Sequence, residues 1–327
     1  MERLLRNRKV LVTGGAGFIG SNLTESLLDA GNEVVCLDNF STGKRENVKD
    51  FLENPNYKLI EGDIRNYDDC LRAVSGAEFV FHEAALGSVP RSIKDPVTTT
   101  DVNIGGFVKI LFASKEAGVK RFIYAASSST YGDHPDLPKV EDKIGSPLSP
   151  YAITKYVNEL YADIFAKTYG IEVIGLRYFN VFGRRQDPDG AYAAVIPIFI
   201  KTLFSHQSPL INGDGTITRD FTYIENAIQA NHLAATVVGV DSINRVYNIA
   251  HGERTSLKEL YYIIRKKACL LDSEITDIEP KYGPSRPGDI LHSLASIKMA
   301  QKKLCYYPTH SVEQGLDEVV NWYWSNL

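Results

Sequence analysis

A glycine-rich turn near the start of the chain constrains the fold more than any other sequence feature. It reads Gly14-Gly15-Ala16-Gly17-Phe18-Ile19-Gly20, and it satisfies both a GxGxxG and a GxxGxxG pattern. The apolar run 10–13 precedes it, and the helical pattern 21–30 follows it. Such a turn lets a backbone approach a pyrophosphate closely, and the N-terminus of the helix then stabilises the negative charge. The motif therefore predicts a βαβ unit that binds a dinucleotide.

An acidic residue ends the next predicted strand. The β-branched run 33–38 closes with Asp38. A carboxylate at this place accepts hydrogen bonds from an adenosine ribose and repels a 2′-phosphate, which favours NAD over NADP. Lys44 and Arg45 lie close behind it and weaken that preference. The structural alternative is a glycine turn that only lets a helix pack on a strand. The strand before the turn, the helix after it and the acid at the end of the next strand together favour dinucleotide binding.

Short β-branched runs and longer helical patterns alternate through the first half of the chain. Further strands are predicted at 57–61, 78–82, 122–126 and 172–176, and further helices at 101–117 and 151–169. This alternation predicts an α/β fold with a parallel sheet covered on both faces. The regular alternation of strands and helices ends after residue 179. Beyond it, the patterns predict helices at 191–204 and 226–238 and a strand at 246–249.

We predict two domains because the alternation of strands and helices ends there. Residues 1–179 would form a dinucleotide-binding domain, rejoined by a strand near 246–250, and residues 180–327 a smaller, mostly helical domain. The formal net charge of -4 argues against a nucleic-acid-coating protein. No apolar run approaches the ~18 residues that span a bilayer. The four cysteines are too widely spread for a metal knuckle, so we expect reduced thiols in a cytoplasmic protein without a metal site.

Tyr151 and Lys155 form the most informative chemical pair. Ser149 is a favourable N-cap and Pro150 a favourable first helical residue, so both side chains should lie on one helix face, a turn apart. An ammonium there stabilises a phenolate and lowers the tyrosine pKa from about 10 toward the working pH. Such a tyrosine exchanges a proton with a substrate hydroxyl while hydride passes to a nicotinamide. On most helices, however, a Tyr-x-x-x-Lys pair is simply solvated.

Three consecutive serines follow another predicted strand. The run 122–126 leads into Ser127, Ser128 and Ser129, and then into Tyr131. Hydroxyls at the carboxyl end of a parallel strand face the crevice in which ligands bind. Serines also form turns. Their position before a Tyr-Gly pair, with Tyr151 in the next helix, favours a part in the chemistry.

Together these motifs resemble the extended short-chain dehydrogenase/reductase family over nearly the whole chain. The resemblance rests on residues 14–20, Asp38, residues 63–64, 82–85 and 127–132, the pair Tyr151 and Lys155, and residues 177–183. It implies a Rossmann-type doubly wound parallel sheet with a smaller substrate domain, and NAD as cofactor. The family's Ser/Thr–Tyr–Lys catalytic set carries over onto Ser127, Tyr151 and Lys155.

The same resemblance implies the binding residues. Asp63 and Ile64 would contact the adenine, and Asn103 would lie in the helix beneath the nicotinamide. The full cofactor set would be Gly14, Gly17, Phe18, Ile19, Gly20, Asp38, Asn39, Ser41, Gly43, Asp63, Ile64, Ala84, Ala85, Asn103, Tyr151, Lys155, Tyr178 and Val181. The substrate set would be Gly87, Ser88, Ser127, Ser128, Ser129, Asn180, Gln186, Ala194, Val195, Asn212, Arg219, Arg286, Asp289 and Ser293.

The second half of the chain narrows the choice of family member. Its segments around Asn180, Asn212, Arg219 and Arg286 resemble the diphosphosugar-binding segments of UDP-sugar 4-epimerases. Guanidinium groups match diphosphate oxygens in bidentate fashion. Ser293 stands where galactose-type epimerases carry a bulky tyrosine, and a serine leaves room for a 2-acetamido group. The resemblance thus implies C4 epimerisation of UDP-GlcNAc or UDP-GalNAc through a 4-keto intermediate, for surface polysaccharide precursors.

Other functions stay open at this point. Dehydratases of the family place Thr-Asp-Glu where this chain has Ser127, Ser128 and Ser129, so elimination lacks its acid and base here. UDP-uronic-acid epimerases and decarboxylases use much the same triad. A net dehydrogenase, or a non-catalytic NAD-binding regulator that keeps the fold, is a further alternative. The resemblance also implies a homodimer through the helices near 101–117 and 151–169, and no nucleic-acid or membrane partner.

Overall fold

The computed structural model describes residues 3–190, 193–284 and 291–327. Its centre is a seven-stranded sheet in which all six strand pairings are parallel. From one edge to the other, the strands are β11 (Arg245–Ile249), β6 (Glu172–Tyr178), β5 (Arg121–Ser127), β4 (Phe79–His82), β1 (Lys9–Thr13), β2 (Glu33–Asp38) and β3 (Tyr57–Glu61). Read from the opposite edge, the first six strands follow the order 3-2-1-4-5-6, which is that of dinucleotide-binding doubly wound sheets. The order in which the chain adds strands reverses between β1 and β4. The predicted Rossmann-type fold is confirmed.

The secondary structure of the first half runs from the glycine-rich turn to the end of β6. Its strands are β1 (Lys9–Thr13), β2 (Glu33–Asp38), β3 (Tyr57–Glu61), β4 (Phe79–His82), β5 (Arg121–Ser127) and β6 (Glu172–Tyr178). Its helices are α1 (Phe18–Asp29), α2 (Tyr67–Val74), α3 (Val89–Lys94), α4 (Pro96–Thr100), α5 (Phe107–Glu116) and α6 (Pro150–Tyr169).

The described part of the second half combines helices with short strands. Its helices are α7 (Val195–Phe204), α8 (Ile224–Thr236), α9 (Leu257–Ala268), α10 (Lys298–Leu304) and α11 (Val312–Asn326). Its strands are β7 (Val181–Phe182), β8 (Leu210–Asn212), β9 (Thr218–Arg219), β10 (Thr222–Tyr223), β11 (Arg245–Ile249), β12 (Thr255–Ser256) and β13 (Lys281–Gly283). Three two-stranded pairings, β7 with β10, β9 with β12 and β8 with β13, join segments far apart in sequence.

Alternating side chains of the central strands pack into two layers. Val10 and Val12 of β1 face a core that contains α1, α7, α8, α9 and α11, whereas Leu11 faces a second core that contains α2, α5 and α6. Strands buried on both faces read as continuous apolar runs, which is why β1 and β5 lack a polar alternation. The carboxyl ends of all seven strands consequently meet at one edge, beneath the loops.

The structure differs from the sequence expectation around residues 89–117. One helix was expected over 101–117, but α3 and α4 precede a π-helical stretch, Asp101–Gly106, which continues into α5. The extra residue per turn in a π-helix changes which side chains face inward, and such turns occur at functional sites. The amphipathic pattern alone does not reveal it. Helix α2, with its Asn66 N-cap, was also not predicted.

The strand at 246–250 lies in the sheet as β11, paired with β6 at the edge. Helix α8 of the second half contacts both β5 and β6. The division of the chain into domains at residue 179 stays a prediction. Among the described residues, no helix is both long enough and apolar enough to cross a membrane. All four cysteines are unpaired.

Candidate active site

The glycine-rich turn brings strand β1, helix α1 and the end of β4 into close contact. Gly14 has φ +70°, and a Cβ there would lie 2.7 Å from the backbone nitrogen of Ala84. A Cβ on Gly20 would lie 2.1 Å from the carbonyl oxygen of Gly14. No side chain caps α1, which begins at Phe18, so its first N–H groups face the turn. These features form the phosphate cradle that the motif predicts.

A cleft of about 670 Å³ runs from this cradle along the carboxyl edge of the sheet. Most residues of the predicted cofactor set line it: Gly14, Gly17, Phe18, Ile19, Gly20, Asp38, Asn39, Ser41, Gly43, Asp63, Ile64, Ala84 and Ala85. Asp38 accepts hydrogen bonds from the backbone N–H of Ala16 (2.9 Å) and of Phe40 (2.8 Å), and its burial raises its pKa. The carboxylate is therefore held rigidly at the edge of the cleft.

Asp63 and Asn39 meet at the far end of the cleft. The amide nitrogen of Asn39 donates to Asp63 Oδ2 at 2.8 Å, and the Arg65 guanidinium beside Asp63 lowers the pKa of that carboxyl to about 2. Lys44 and Asp187 form an ion pair of 2.8 Å, and both residues line the cleft. This ion pair joins the loop after β2 to the segment that follows β7.

The residues of the cleft fit NAD. The tight glycine turn leaves the start of α1 without a side-chain cap beside the cleft, which suits a pyrophosphate, and Asp38 lines the same cleft as an acceptor for a ribose. The buried Lys155 is close enough to Glu83, a residue of the cleft lining, for their charges to interact. The described residues contain no cluster of side chains suited to hold a metal ion.

The three predicted catalytic residues come from two neighbouring elements. Ser127 is the last residue of β5, and Tyr151 and Lys155 lie in the first turns of α6, whose N-cap is Ser149. Ser127 lies close enough to the Tyr151 phenol to lower its pKa. Ser129 donates its hydroxyl proton to Ser127 Oγ at 2.8 Å. The backbone N–H of Tyr151 is held by Ser92 Oγ at 3.0 Å.

The expected lowering of the Tyr151 pKa by Lys155 is wrong. Burial raises the pKa of Tyr151, and Ser127 is the group that opposes this rise. The Lys155 ammonium donates instead to the carbonyl oxygen of Ala125 at 2.7 Å. Burial lowers the pKa of Lys155 to about 8. Helical spacing predicts the shared face but does not show which acceptor the ammonium finds.

Five members of the predicted cofactor set lie outside the cleft lining: Tyr151 and Lys155, described above, and Asn103, Tyr178 and Val181. Asn103 is buried and binds the backbone of Leu86 (N–H to Oδ1, 2.8 Å) and Thr154 Oγ1 (3.1 Å), so it braces the loop after β4 against α6. Tyr178 donates its hydroxyl proton to Glu83. Val181 lines the neighbouring cavity.

Two further cavities continue the cleft into the second half. A cavity of about 300 Å³ shares Gln186 and Ala194 with the cleft and is also lined by Asn180, Val195, Asn212 and Arg219 of the predicted substrate set. A third, of about 510 Å³, shares Asn180 and Arg219 with the second and contains Ser128, Ser129 and Ser293. Gly87 and Ser88 line the first cleft. Arg286 and Asp289 lie outside the described residues.

Several residues of these cavities were not predicted. Glu83 and Arg91 line the cleft, and Lys139 and His292 line the third cavity beside Ser293. Backbone hydrogen bonds from Lys139 to Leu294 and from Ser296 to Lys139 bring these two segments together. Glu83 follows β4 directly, and an acid at the carboxyl end of a parallel strand is a sequence signal that could have identified it.

Comparisons with known proteins agree with this architecture. The model of the NAD dependent epimerase/dehydratase family matches residues 10–250. A UDP-glucose 4-epimerase of Mycolicibacterium smegmatis is 33% identical over 96% of this chain and 98% of its own length.

Two solved structures are similar over nearly their whole length. A UDP-N-acetylglucosamine 4-epimerase from Methanobrevibacter ruminantium M1, in complex with UDP-N-acetylmuramic acid, is 39% identical with a TM-score of 0.90, over 99% of this chain and 100% of that one. A UDP-glucose 4-epimerase from Thermotoga maritima, with UDP-glucose, is 36% identical with a TM-score of 0.89, over 97% and 99%. The glycine cradle, the Ser127–Tyr151 pair and these matches together show that the chain belongs to the NAD dependent epimerase/dehydratase family.

Proposed function

We propose that this protein epimerises a UDP-sugar at C4, using NAD that stays bound between turnovers. The observation that carries the proposal is the approach of Tyr151, in the first turn of α6, to Ser127, the last residue of β5, next to a cavity that their chain neighbours Ser128 and Ala152 line. A base and a hydroxyl placed in this way suit proton exchange with a sugar hydroxyl.

The residues divide the chemistry among them. NAD, held by the glycine turn and Asp38, would supply the acceptor and donor of hydride at the sugar C4. Tyr151, as phenolate, takes the proton from O4 and gives it back, while Ser127 hydrogen-bonds the same oxygen. Lys155, one turn further along α6, would donate from its ammonium to the ribose hydroxyls of the cofactor. The ketone turns about the diphosphate between the two half-reactions, so both faces of C4 become accessible.

The row of cavities supports a UDP-sugar as substrate. The second cavity combines apolar walls with Asn180 and Asn212, which suits a uridine. Arg219 lines the second and third cavities alike, which suits a diphosphate between the two. The third cavity, with Ser128 and Ser129, would then hold the sugar near Ser127.

The third cavity also supports an acetamido substituent. Ser293 lines it together with the apolar side chains of Val89 and Leu148. A small residue at 293 leaves space, and an apolar wall favours the methyl group of an acetamide. We therefore propose UDP-GlcNAc and UDP-GalNAc as the preferred pair, made in the cytoplasm as precursors of surface polysaccharide. The similar Methanobrevibacter ruminantium enzyme acts on UDP-N-acetylglucosamine by its name.

A uronic-acid substrate is the second candidate, because a buried cation lines the same cavity. Lys139 is buried there, and Arg219 lines the same cavity. A sugar carboxylate would form charge-assisted hydrogen bonds with such groups. A 4,6-dehydratase is less favoured because residues 127–129 provide only hydroxyls.

The exposed faces of α5 and α6 support a homodimer. Apolar side chains lie exposed along them: Phe112, Ile153, Leu160, Ile164 and Tyr169. A contiguous apolar surface of this kind typically marks an interface. We propose that two copies of the chain pack these helices together.

One experiment tests the proposed function. Purified protein is incubated with UDP-GlcNAc, UDP-glucose and UDP-glucuronic acid, products are separated by chromatography, and absorbance at 340 nm is followed. We expect the C4 epimer of UDP-GlcNAc without steady NADH release. Steady NADH production would indicate a net dehydrogenase, and no conversion of any sugar would overturn the proposal. UDP-glucose turnover equal to that of UDP-GlcNAc would overturn the acetamido preference.

A further inference from the structure

A fully buried carboxylate lies directly behind the wall of the third cavity. Asp220 stands between β9, which ends at Arg219, and the start of β10. It is completely shielded from solvent, and it lies outside the linings described for the three cavities. Burying a carboxylate is costly unless hydrogen bonds compensate it, so the partners of this residue indicate what it does.

Both carboxylate oxygens of Asp220 accept hydrogen bonds from backbone N–H groups. Oδ1 accepts from His251 (3.1 Å) and Gly252 (3.2 Å), and Oδ2 accepts from Gly252 (3.2 Å) and Ala295 (3.1 Å). Burial raises the pKa of Asp220 to about 7, and these N–H groups act to lower it because they favour the charged form. The carboxylate thus connects the loop that follows β11 with a segment near Ser293.

That segment, residues 291–296, forms part of the wall of the third cavity through Ser293. Isolated parallel bridges pair it with β9 and with Lys139. The bridge to Lys139 uses the carbonyl before Ala295 and the N–H after it. The N–H of Ala295 itself is therefore left for Asp220, which holds the segment from the other side.

The backbone of Asp220 contacts a second part of the same wall. Its carbonyl oxygen accepts a hydrogen bond from the side-chain amide of Asn180 at 3.0 Å. Asn180 and Arg219 line both the second and the third cavity. One buried residue therefore adjoins Arg219 in the chain, binds Asn180 through its carbonyl and binds the segment 291–296 through its carboxylate.

We propose, on the basis of the sugar-nucleotide function above, that Asp220 is a positioning residue that fixes Ser293 relative to Arg219 and thereby sets the fit of the hexose. It acts through the N–H of Ala295 and touches neither sugar nor cofactor. The second cavity, proposed for uridine, is lined mainly by β7, α7 and β8. The hydrogen bonds of the carboxylate go instead to residues 251, 252 and 295, so its loss should weaken recognition of the hexose much more than that of UDP.

Two variants remove the contact from opposite sides. Asp220→Asn keeps the shape of the side chain but has a single acceptor oxygen, so its amide nitrogen must face an N–H group that the carboxylate now binds. Ala295→Pro removes the N–H that binds Oδ2 and leaves the carboxylate in place. Asp241→Asn, which changes an exposed aspartate of the same half of the chain, is the matched control.

The dissociation constants of UDP-GlcNAc and UDP are measured by calorimetry with NAD bound. In Asp220→Asn and Ala295→Pro we expect UDP-GlcNAc to bind at least about fivefold more weakly and UDP less than about twofold more weakly. Asp241→Asn should match wild type for both ligands. Equal weakening of the two ligands would overturn the proposal, because general destabilisation does not distinguish a sugar nucleotide from its nucleotide.

Turnover gives a second readout. The KM for UDP-GlcNAc should rise in Asp220→Asn, whereas kcat should stay within about threefold of wild type because Ser127 and Tyr151 are unchanged. A lower kcat with an unchanged KM would contradict a role in positioning the sugar wall. Should Asp220→Asn not fold, Ala295→Pro carries the same comparisons, and wild-type binding of UDP-GlcNAc in that variant would overturn the proposal.

Hydrogen exchange of the ligand-free protein separates this proposal from the epimerase function. Backbone N–H groups of residues 291–296 should exchange at least about tenfold faster in Asp220→Asn than in wild type or Asp241→Asn. Unchanged exchange in this segment would overturn the positioning role, whatever the protein does with UDP-sugars. Failure of the wild-type protein to epimerise any UDP-sugar, with the faster exchange present, would count against the proposed function alone.

Discussion

Ser127, the last residue of β5, lies close enough to Tyr151, in the first turn of α6, to lower the pKa of its phenol. The two residues belong to segments whose positions depend on different parts of the fold, the parallel pairing of β5 with β6 and the N-cap at Ser149. Burial and Ser127 act in opposite directions on the tyrosine pKa. The serine is therefore part of what makes the tyrosine usable as a base.

Replacing Tyr151 with phenylalanine should abolish most turnover. The ring would still fill its site, but the proton carrier would be lost, so we expect kcat to fall by about 10² or more. Tyr161→Phe, an exposed tyrosine of the same helix, is the matched control and should keep its rate. Near-normal kcat in Tyr151→Phe would refute the assignment.

Replacing Ser127 with alanine should move the acid limb of kcat/KM. The phenolate form of Tyr151 is the active one, so activity rises as pH rises through its pKa. Removing a hydroxyl that lowers this pKa moves the limb to higher pH, by up to about one unit if its interaction with the phenol contributes about 1 kcal/mol. Ser128→Ala should alter substrate KM and leave the limb in place. A limb that stays in place in Ser127→Ala contradicts the assignment.

Replacing Gly20 with alanine should destabilise the fold and prevent cofactor binding. The new Cβ would lie 2.1 Å from the Gly14 carbonyl, a backbone atom that cannot move without opening the turn. We expect a loss of about 3 kcal/mol in the free energy of unfolding, measured by urea denaturation. Gly105→Ala, where a new Cβ meets no atom within 4 Å, should be neutral or slightly stabilising. Equal stability of the two variants would show that the turn tolerates a side chain.

Replacing Lys44 with alanine should speed the release of NAD. Its ion pair with Asp187 joins two segments that line the cleft, but the pair is half-exposed. A contact worth up to about 1 kcal/mol corresponds to a two- to fivefold faster dissociation rate, with little change in thermal stability. The rate is measured by chasing bound NAD with an excess of labelled NAD. Lys49→Ala, an exposed lysine of the same segment, should release NAD at the wild-type rate.

Replacing Ser293 with tyrosine should suppress turnover of the acetylated substrate selectively. A phenol ring in the third cavity would occupy the space proposed for the acetamido group, while UDP-glucose would still fit. We expect kcat/KM for UDP-GlcNAc to fall at least about tenfold relative to that for UDP-glucose. Ser293→Ala removes the hydroxyl without filling the cavity and should keep the wild-type preference. An equal loss for both sugars would contradict the specificity role.

Local sequence rules predicted the parts of the site that depend on short-range geometry. The glycine turn, Asp38 at a strand end and the N-cap at Ser149 each follow from a few neighbouring residues. Glu83 was missed because its partner Tyr178 comes from a distant strand, which only the folded sheet brings near it. The acceptor of the Lys155 ammonium, the carbonyl of Ala125, was missed for the same reason.

The three cavities lie in a row and share their walls, with Gln186 between the first two and Arg219 between the last two. A dinucleotide would thus occupy the first cavity and a sugar nucleotide the second and third, so that the sugar nucleotide can be exchanged while the dinucleotide stays bound. An epimerase arranged like this carries its own oxidant and reductant through every cycle. Its rate would follow the supply of sugar nucleotide and would be insensitive to the ratio of oxidised to reduced nicotinamide in the cell.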